Sequence, residues 1–448
     1  MEKETGLKRS LSLFAAICMM TGCIVGASVF VVPGELASTV GPGAFISYLL
    51  GAVLISFSCF MYAQVGSVVS VAGANYVLCT RSVGGAWGFL YVWCFFLGNS
   101  FLFPIMAKTA VNYLSILFPL LGKNVKLASA VMILLCCGIS LLGNTLSARV
   151  QNLCVIVLIG VVVVFSAGGI LNADWSNFSP LLPKGISPVI VGAVSTYYAF
   201  AGVNCIIDLS GEIKDPGRNI PRTVFISFGI VVVMYVGMCL GLVGLLPADK
   251  LGIAAPAVTA GELIFPKWFS AAVIIAAVAA CYTTLNAVIS SMSRILYTLG
   301  KVKLFPSVLA KTNRFAAPSA AIAVLAVLGC LLVVFSDTIM RFVNISSFFL
   351  LFIALIVAVG SLRIRDAFAE EYAAAAYKLK GAGYYIWPWL TIVSSLVFMA
   401  IQLKSDLKMT GLAILLVPVG IALYFIRKKI LQKAGVDLEQ ELIRNMNV

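Results

Sequence analysis

The chain has 448 residues, of which 61% are hydrophobic and 11% charged, with a mean hydropathy of +1.07. Soluble domains carry about 25% charged residues, so that class is excluded and a polytopic membrane protein is required. Lys and Arg number 31 against 17 Asp and Glu, and histidine is absent, which removes zinc sites, histidine bases and with them many intramembrane hydrolase mechanisms.

Apolar runs of about 20 residues recur about twelve times, the length of a helix across a hydrocarbon core rather than of a barrel strand. Segment one, Leu11 to Val32, is interrupted halfway by Thr21-Gly22-Cys23-Ile24-Val25-Gly26-Ala27-Ser28-Val29-Phe30. Gly22 and Gly26 fit two readings, close packing of a neighbouring helix or a stretch that leaves the helix and offers its backbone to a ligand. The segment is expected to end at Pro33-Gly34, before an outer loop with Gly41-Pro42-Gly43. Segment two, Ala44 to Val69, closes with Tyr62-Ala63-Gln64-Val65-Gly66 and leads to an inner loop, Ala72-Gly73-Ala74-Asn75-Tyr76. Segment three spans Trp87 to Leu117, with Asn99 and Ser100 mid-span and Lys108 expected to snorkel towards the outer interface. Segments four and five run from Leu127 to Leu142 and from Val150 to Leu171.

Segment six, Ile186 to Gly211, holds a second interruption, Phe200-Ala201-Gly202-Val203-Asn204. Two broken segments at corresponding places, five segments apart, point to a transporter built from inverted repeats, and shift the reading of the first break from packing to binding. A polar inner loop from Glu212 to Arg222 follows, then segment seven to Leu246 and segment eight from Trp268 to Tyr297, with Asn286 mid-span. Segments nine to twelve start near Ser319, Phe342, Tyr384 and Gly411, and a tail of mixed charge follows Arg427.

With the N-terminus inside, Lys3, Lys8, Arg9, Arg294, Lys301, Lys303 and Arg427-Lys428-Lys429 fall in inner segments, whereas outer loops keep few basic residues, among them Lys184 and Lys250. That bias sets both termini in the cytoplasm of a cell-membrane protein and leaves nucleic acid no role. The 12 cysteines lie in or beside apolar runs and read as packing thiols rather than disulfides or metal ligands. Asn177-Phe178-Ser179, in an outer loop, matches a glycosylation acceptor.

In these motifs the sequence resembles the amino acid-polyamine-organocation (APC) transporter superfamily, with affinities to its L-type neutral amino acid exchangers and arginine-agmatine antiporters. The resemblance is carried by Gly26-Ala27-Ser28-Val29-Phe30, Tyr62 to Gly66, Gly85 to Gly88 leading to Trp93, Arg149-Val150-Gln151, Glu212 with Asp215-Pro216 and Arg218 to Pro221, and Asn286 with Ser293-Arg294. It implies an all-α fold of 12 transmembrane helices. Residues 11–172 and 186–361 would form a five-plus-five inverted repeat with helices one and six broken, 384–427 two added helices and 428–448 a cytoplasmic tail. It also implies a carrier that moves amino acids by alternating access, with no enzymatic activity, cofactor or metal.

On this reading the half-helix after the first break points its N-terminus at the midplane, so amides near Gly26, Ala27 and Ser28 can hold a substrate carboxylate. Carbonyls around Gly22, Cys23, Phe200 and Ala201 can take the ammonium. Ile24, Asn99, Gly202, Asn204 and Asn286 complete the candidate substrate-binding residues, with Tyr198 and Asp208 the candidates for coupling or gating. Family members that exchange arginine for agmatine carry glutamate where Asn204 stands, and members for large neutral amino acids carry asparagine, so Asn204 favours a neutral substrate. A lysine found on segment five of some members is Leu158 here, which favours exchange or facilitated diffusion and leaves sodium coupling open. Asp208 admits two readings: an acid in the first turns of the second half-helix, stabilised by its dipole and open to the inner vestibule, or a group for proton coupling or cation selection. The latter supports an alternative carrier for cationic amino acids or polyamines. A channel, receptor or scaffold is the alternative of another class.

Overall fold

The computed structural model describes residues 9–26, 28–200, 202–253, 255–335, 339–405 and 407–433. Among them the chain is helical, with a single isolated bridge pairing Leu11 and Ile213 in parallel. In chain order the helices are α1 (Leu13–Val25), α2 (Ser28–Val40), α3 (Ala44–Val68), α4 (Ala74–Ser82), α5 (Gly85–Ser100), α6 (Leu102–Leu117), α7 (Pro119–Gly122), α8 (Val125–Leu141), α9 (Asn144–Leu171) and α10 (Ser187–Ala199). They continue with α11 (Val203–Asp208), α12 (Pro216–Leu245), α13 (Pro256–Gly261), α14 (Lys267–Lys301), α15 (Ser319–Phe335), α16 (Ile339–Ser361), α17 (Ile364–Ala367), α18 (Ala369–Ala374), α19 (Gly383–Ser405) and α20 (Leu407–Lys433). Eight spans among the described residues are long and apolar enough to cross a membrane, counting α1 with α2 and α5 with α6 as one span each; α8, α15 and residues 345–361 of α16 are shorter apolar helices.

Several expected boundaries move. Segment one does not stop at Pro33-Gly34, because α2 carries Pro33 inside it and runs on to Val40. A proline removes one backbone bond, but in an apolar environment the remaining carbonyls and amides have no better partner than the next turn. The expected inner loop around Asn75 is the buried helix α4, entered through Gly73. Segment three is interrupted after Ser100, and segment five starts six residues early, at Asn144. The tail after Lys433 lies outside the described residues.

Burial separates a centre from a rim. The apolar window of α14 is 83% buried, whereas those of α9 and α20 are 28% and 22% buried. A helix apolar all round belongs inside the bundle when its neighbours are protein, and faces lipid when they are not. α14 packs on α1, α6 and α9, while α12 packs on α1, α3 and α9. Lys108, on α6, is buried and does not snorkel outward.

One end of the centre is tied by polar contacts. Leu11 N donates to Glu212 O and Lys214 N to Leu11 O, each at 2.9 Å. The Glu212 carboxylate pairs with Arg294 of α14 through Nε and through Nη2 at 3.3 Å, with both side chains almost fully buried. All 12 cysteines are free thiols, as their sequence positions predict.

Candidate substrate site

α1 ends at Val25 and α2 begins at Ser28; α10 ends at Ala199 and α11 begins at Val203. Gly26 and Gly202 sit in the two gaps with φ of +47° and +128°. Side chains disfavour both torsions, so glycine is what lets the chain leave and re-enter the helix there. The gaps adjoin: a β-carbon on Gly202 would lie 3.2 Å from Cys23 Sγ and 3.3 Å from Ile24 Cγ1.

Breaking a helix leaves carbonyls without their i+4 amides, and these need other donors when buried. Gly22 O accepts from Thr283 Oγ1 at 3.1 Å and Thr284 Oγ1 at 3.0 Å, and Cys23 O from Thr284 Oγ1 at 3.4 Å. Val25 O accepts from Ser28 Oγ at 2.7 Å. The Tyr235 hydroxyl, from α12, lies 3.1 Å from both Val25 O and Ala199 O and 2.6 Å from Ser28 Oγ. One phenol therefore touches the last turns of both first halves and the first residue of α2. Tyr48 and Phe200 pack against its ring, the Tyr48 pair stacked at 5.0 Å between centroids.

The expected binding residues divide. Gly22, Cys23, Ile24, Gly26 and Ser28 meet Phe200, Gly202 and Asn204 at the paired breaks; Ala27 and Ala201 lie outside the described residues, as does the side chain of Tyr198. Both threonine hydroxyls lie within reach of Gly22 O, where the ammonium contact is expected, although Thr283 Oγ1 is nearer Ala280 O at 2.8 Å. Asn204 is 5% exposed, and its Nδ2 has no hydrogen-bond partner among the described residues. A buried amide donor without an acceptor is the sort of exception that a ligand explains. Asn99 donates within its own helix, to Phe95 O at 2.9 Å. Asn286 donates to Gln151 Oε1 at 2.9 Å and accepts from Ser147 at 2.8 Å and Ser140 at 3.3 Å. Its polar atoms tie α14 to α8 and α9, and Gln151 Nε2 in turn donates to Thr283 O of α14.

Asp208 departs from its expected surroundings. α11 has only six residues, so Asp208 ends it rather than starting it, and the dipole there opposes an anion. It is fully buried rather than open to a vestibule. Donors from two other elements hold it instead: Asn75 N at 3.2 Å and Nδ2 at 3.1 Å reach Oδ1, and Tyr91 Oη reaches Oδ2 at 2.8 Å. The carboxylate thus fastens α11 to α4 and α5, while Asn75 Nδ2 also reaches Asn204 O.

Tyr235, Thr283 and Thr284 contact the breaks, and Asn75 and Tyr91 contact Asp208; the sequence did not mark these five as part of the candidate site. Thr283-Thr284 in the middle of an apolar span was a readable signal, since hydroxyls there seek buried partners; a lone tyrosine on segment seven was not.

This architecture, a bundle of apolar helices with two broken spans meeting at its centre, defines a membrane carrier. The model of the amino acid permease family matches residues 11–424. The chain belongs to that family. It is 28% identical over 436 residues to a branched-chain amino acid permease, BcaP, of Lactococcus lactis, covering 91% of this chain and 92% of that one. The serine/threonine exchanger SteT of Bacillus subtilis is 24% identical over 449 residues, covering 95% and 98%. A methylthioribose transporter of the same species is 26% identical over 328 residues, covering 69% and 71%.

Proposed function

We propose that this permease exchanges neutral L-amino acids across the cell membrane by alternating access, binding them where the two breaks meet. The observation that carries the reading is the convergence of both helix breaks on one hydroxyl, Tyr235, together with a buried Asn204 Nδ2 that has no partner among the described residues. The substrate carboxylate would lie at the N-terminus of α2, near Gly26 and Ser28, where amides and the helix dipole favour an anion. The ammonium would turn to the Cys23 carbonyl and to the end of α10, and Asn204 Nδ2 would donate to the substrate. The names of BcaP and SteT, a branched-chain permease and a serine/threonine exchanger, agree with a neutral substrate.

Counted with the eight long spans, the three shorter apolar helices and the broken pair α10 and α11 would make twelve crossings, which supports a five-plus-five repeat with two helices added. In this arrangement both termini face the cytoplasm. Asp208 has its acceptors engaged by Asn75 and Tyr91, which favours a neutral substrate over a cationic one.

Reconstitution into proteoliposomes tests the reading. Labelled leucine or serine is expected to enter faster when the vesicles hold unlabelled amino acid. Preferred entry of arginine, putrescine or methylthioribose would overturn the neutral amino acid assignment, and ion-channel currents would overturn the carrier mechanism.

A further inference from the structure

A basic corner of the molecule has no part in the transport scheme. α14 ends at Lys301, and the chain turns through Lys303 to meet α20. Val302 and Leu304 are buried, which turns Lys301 and Lys303 outward, where both are exposed. Backbone and ring contacts fix this turn. Phe305 N donates to Leu299 O at 3.1 Å, Arg427 Nε of α20 donates to Leu304 O at 2.8 Å, and Phe89 of α5 meets both Phe305 and Tyr424, with ring centroids 6.4 Å and 5.9 Å away. On α20 the buried Tyr424 and Leu431 share a face with Arg427, which puts Lys429 and Lys433 on the side away from the bundle. Both are exposed, and so are Ile426 and Ile430 beside them, at 55% and 50%. The sequence has no Asp or Glu from Leu263 to Ser336 or from Leu407 to Lys433, so neither segment brings an acid to these cations.

We propose that Lys301 and Lys303, together with Arg427, Lys429 and Lys433, bind the headgroups of anionic phospholipids. Lysines and isoleucines exposed on one helical turn suit neither water nor hydrocarbon, and fit the boundary where stems lie along apolar surface and ammonium groups meet headgroups. α20 reaches that boundary as a helix whose apolar window is only 22% buried. With its Nε on Leu304 O, Arg427 still has its two terminal nitrogens, the fork that matches two phosphate oxygens. A net negative headgroup gains from every lysine around it, whereas a zwitterionic one brings an ammonium of its own. The exposed isoleucines decide for a lipid over free phosphate, because only a lipid brings chains that cover them.

The test places the full-length protein in phosphatidylcholine vesicles with a trace of phosphatidylglycerol that carries a photoactivatable headgroup, and locates the cross-links by peptide mapping. They are expected at residues 301–305 and 425–433, at least about ten-fold above those from phosphatidylcholine with the same photoactivatable group, since each basic residue near an anionic surface adds to the attraction. Salt is expected to weaken them, as it screens exposed charges. Combining Lys301→Gln, Lys303→Gln, Lys429→Gln and Lys433→Gln should remove the excess. Combining Lys123→Gln, Lys184→Gln, Lys250→Gln and Lys267→Gln, the same change of net charge elsewhere, should leave it. Equal labelling by the two lipids, cross-links spread evenly over other helices, equal loss in both combined variants, or displacement by inorganic phosphate beyond that by sodium chloride of equal ionic strength would overturn the proposal. The wild-type map decides even if a combined variant fails to fold.

Discussion

Tyr235 meets Ser28 hydroxyl to hydroxyl at 2.6 Å, and through that contact a side chain of α12 sits at the start of the half-helix that follows the first break. The same phenol lies 3.1 Å from Ala199 O and from Val25 O, the latter also accepting from Ser28 Oγ at 2.7 Å. Tyr235→Phe keeps the ring stack on Tyr48 and removes only the oxygen. Val25 O keeps its bond from Ser28 Oγ, whereas Ala199 O loses the Tyr235 donor, at about 1–3 kcal/mol for a group left unpaired. Folding is expected to survive in a carrier with so large a core. The half-saturation concentration for the substrate is expected to rise roughly ten-fold or more, the equivalent of about 1.4 kcal/mol. Uptake kinetics together with substrate-induced thermal stabilisation check this.

The two glycines of the first break fail differently. A β-carbon on Gly22 would stand 2.6 Å from Gln151 Nε2, 2.7 Å from Thr283 Cβ and 2.9 Å from Val155 Cγ2, so three neighbours on two helices would have to move. At Gly26 the only approach under 3 Å is to Thr284 Oγ1, and the burden is the torsion, φ +47°. Overpacking costs typically about 1–3 kcal/mol, and a left-handed residue other than glycine about 1–2 kcal/mol. Gly22→Ala is expected to lower the yield of folded protein and its unfolding temperature. Gly26→Ala should fold and bind substrate poorly. Gly22 thus answers to close packing, and Gly26 to a left-handed torsion.

Glu212 and Arg294 form a buried pair, and truncating one partner leaves the other charge buried alone, at roughly 3–5 kcal/mol. Arg294→Met is expected to lower the detergent-solubilised melting temperature strongly. Combining it with Glu212→Gln is expected to recover much of the loss, because two neutral groups of similar size avoid the stranded charge. Equal melting temperatures for the single and double variants would contradict the pairing.

What could be read from the sequence follows from what the bilayer constrains. Long apolar runs and glycine-rich gaps at Gly22 to Ser28 and Phe200 to Asn204 are local patterns, and both breaks are where the sequence puts them. Pro33 misled because its meaning depends on solvent: in water it ends a helix, and within an apolar bundle the helix goes on. The partners of Asn286 and Asp208 could not be read for another reason. A polar residue in an apolar span needs a partner, but whether that partner is substrate or protein depends on helices far away in sequence. Asn286 found Gln151 and two serines, and Asp208 found Asn75 and Tyr91. Position along the span could not distinguish these from Asn204.

Asn204 and Asp208 are one helical turn apart and should answer mutation in opposite ways. The Asn204 side-chain amide has no protein acceptor among the described residues, so Asn204→Leu takes nothing from the fold that a partner would miss. If that amide donates to the substrate, its removal is expected to weaken neutral amino acid binding about ten- to a hundred-fold, in line with roughly 1–3 kcal/mol for a buried donor, while the melting temperature without substrate stays within a few degrees. Asp208→Ala strands the Asn75 amide, its side chain and the Tyr91 hydroxyl in a dry interior, so the apo protein is expected to melt much earlier. Asp208→Asn keeps an acceptor for Asn75 and should retain neutral uptake within about ten-fold, since the loss is then of the order of one hydrogen bond to a charged group. Were Asp208→Asn to abolish transport of a cationic amino acid while sparing a neutral one, the carboxylate would belong to cation selection, and the neutral-exchange assignment would have to be given up.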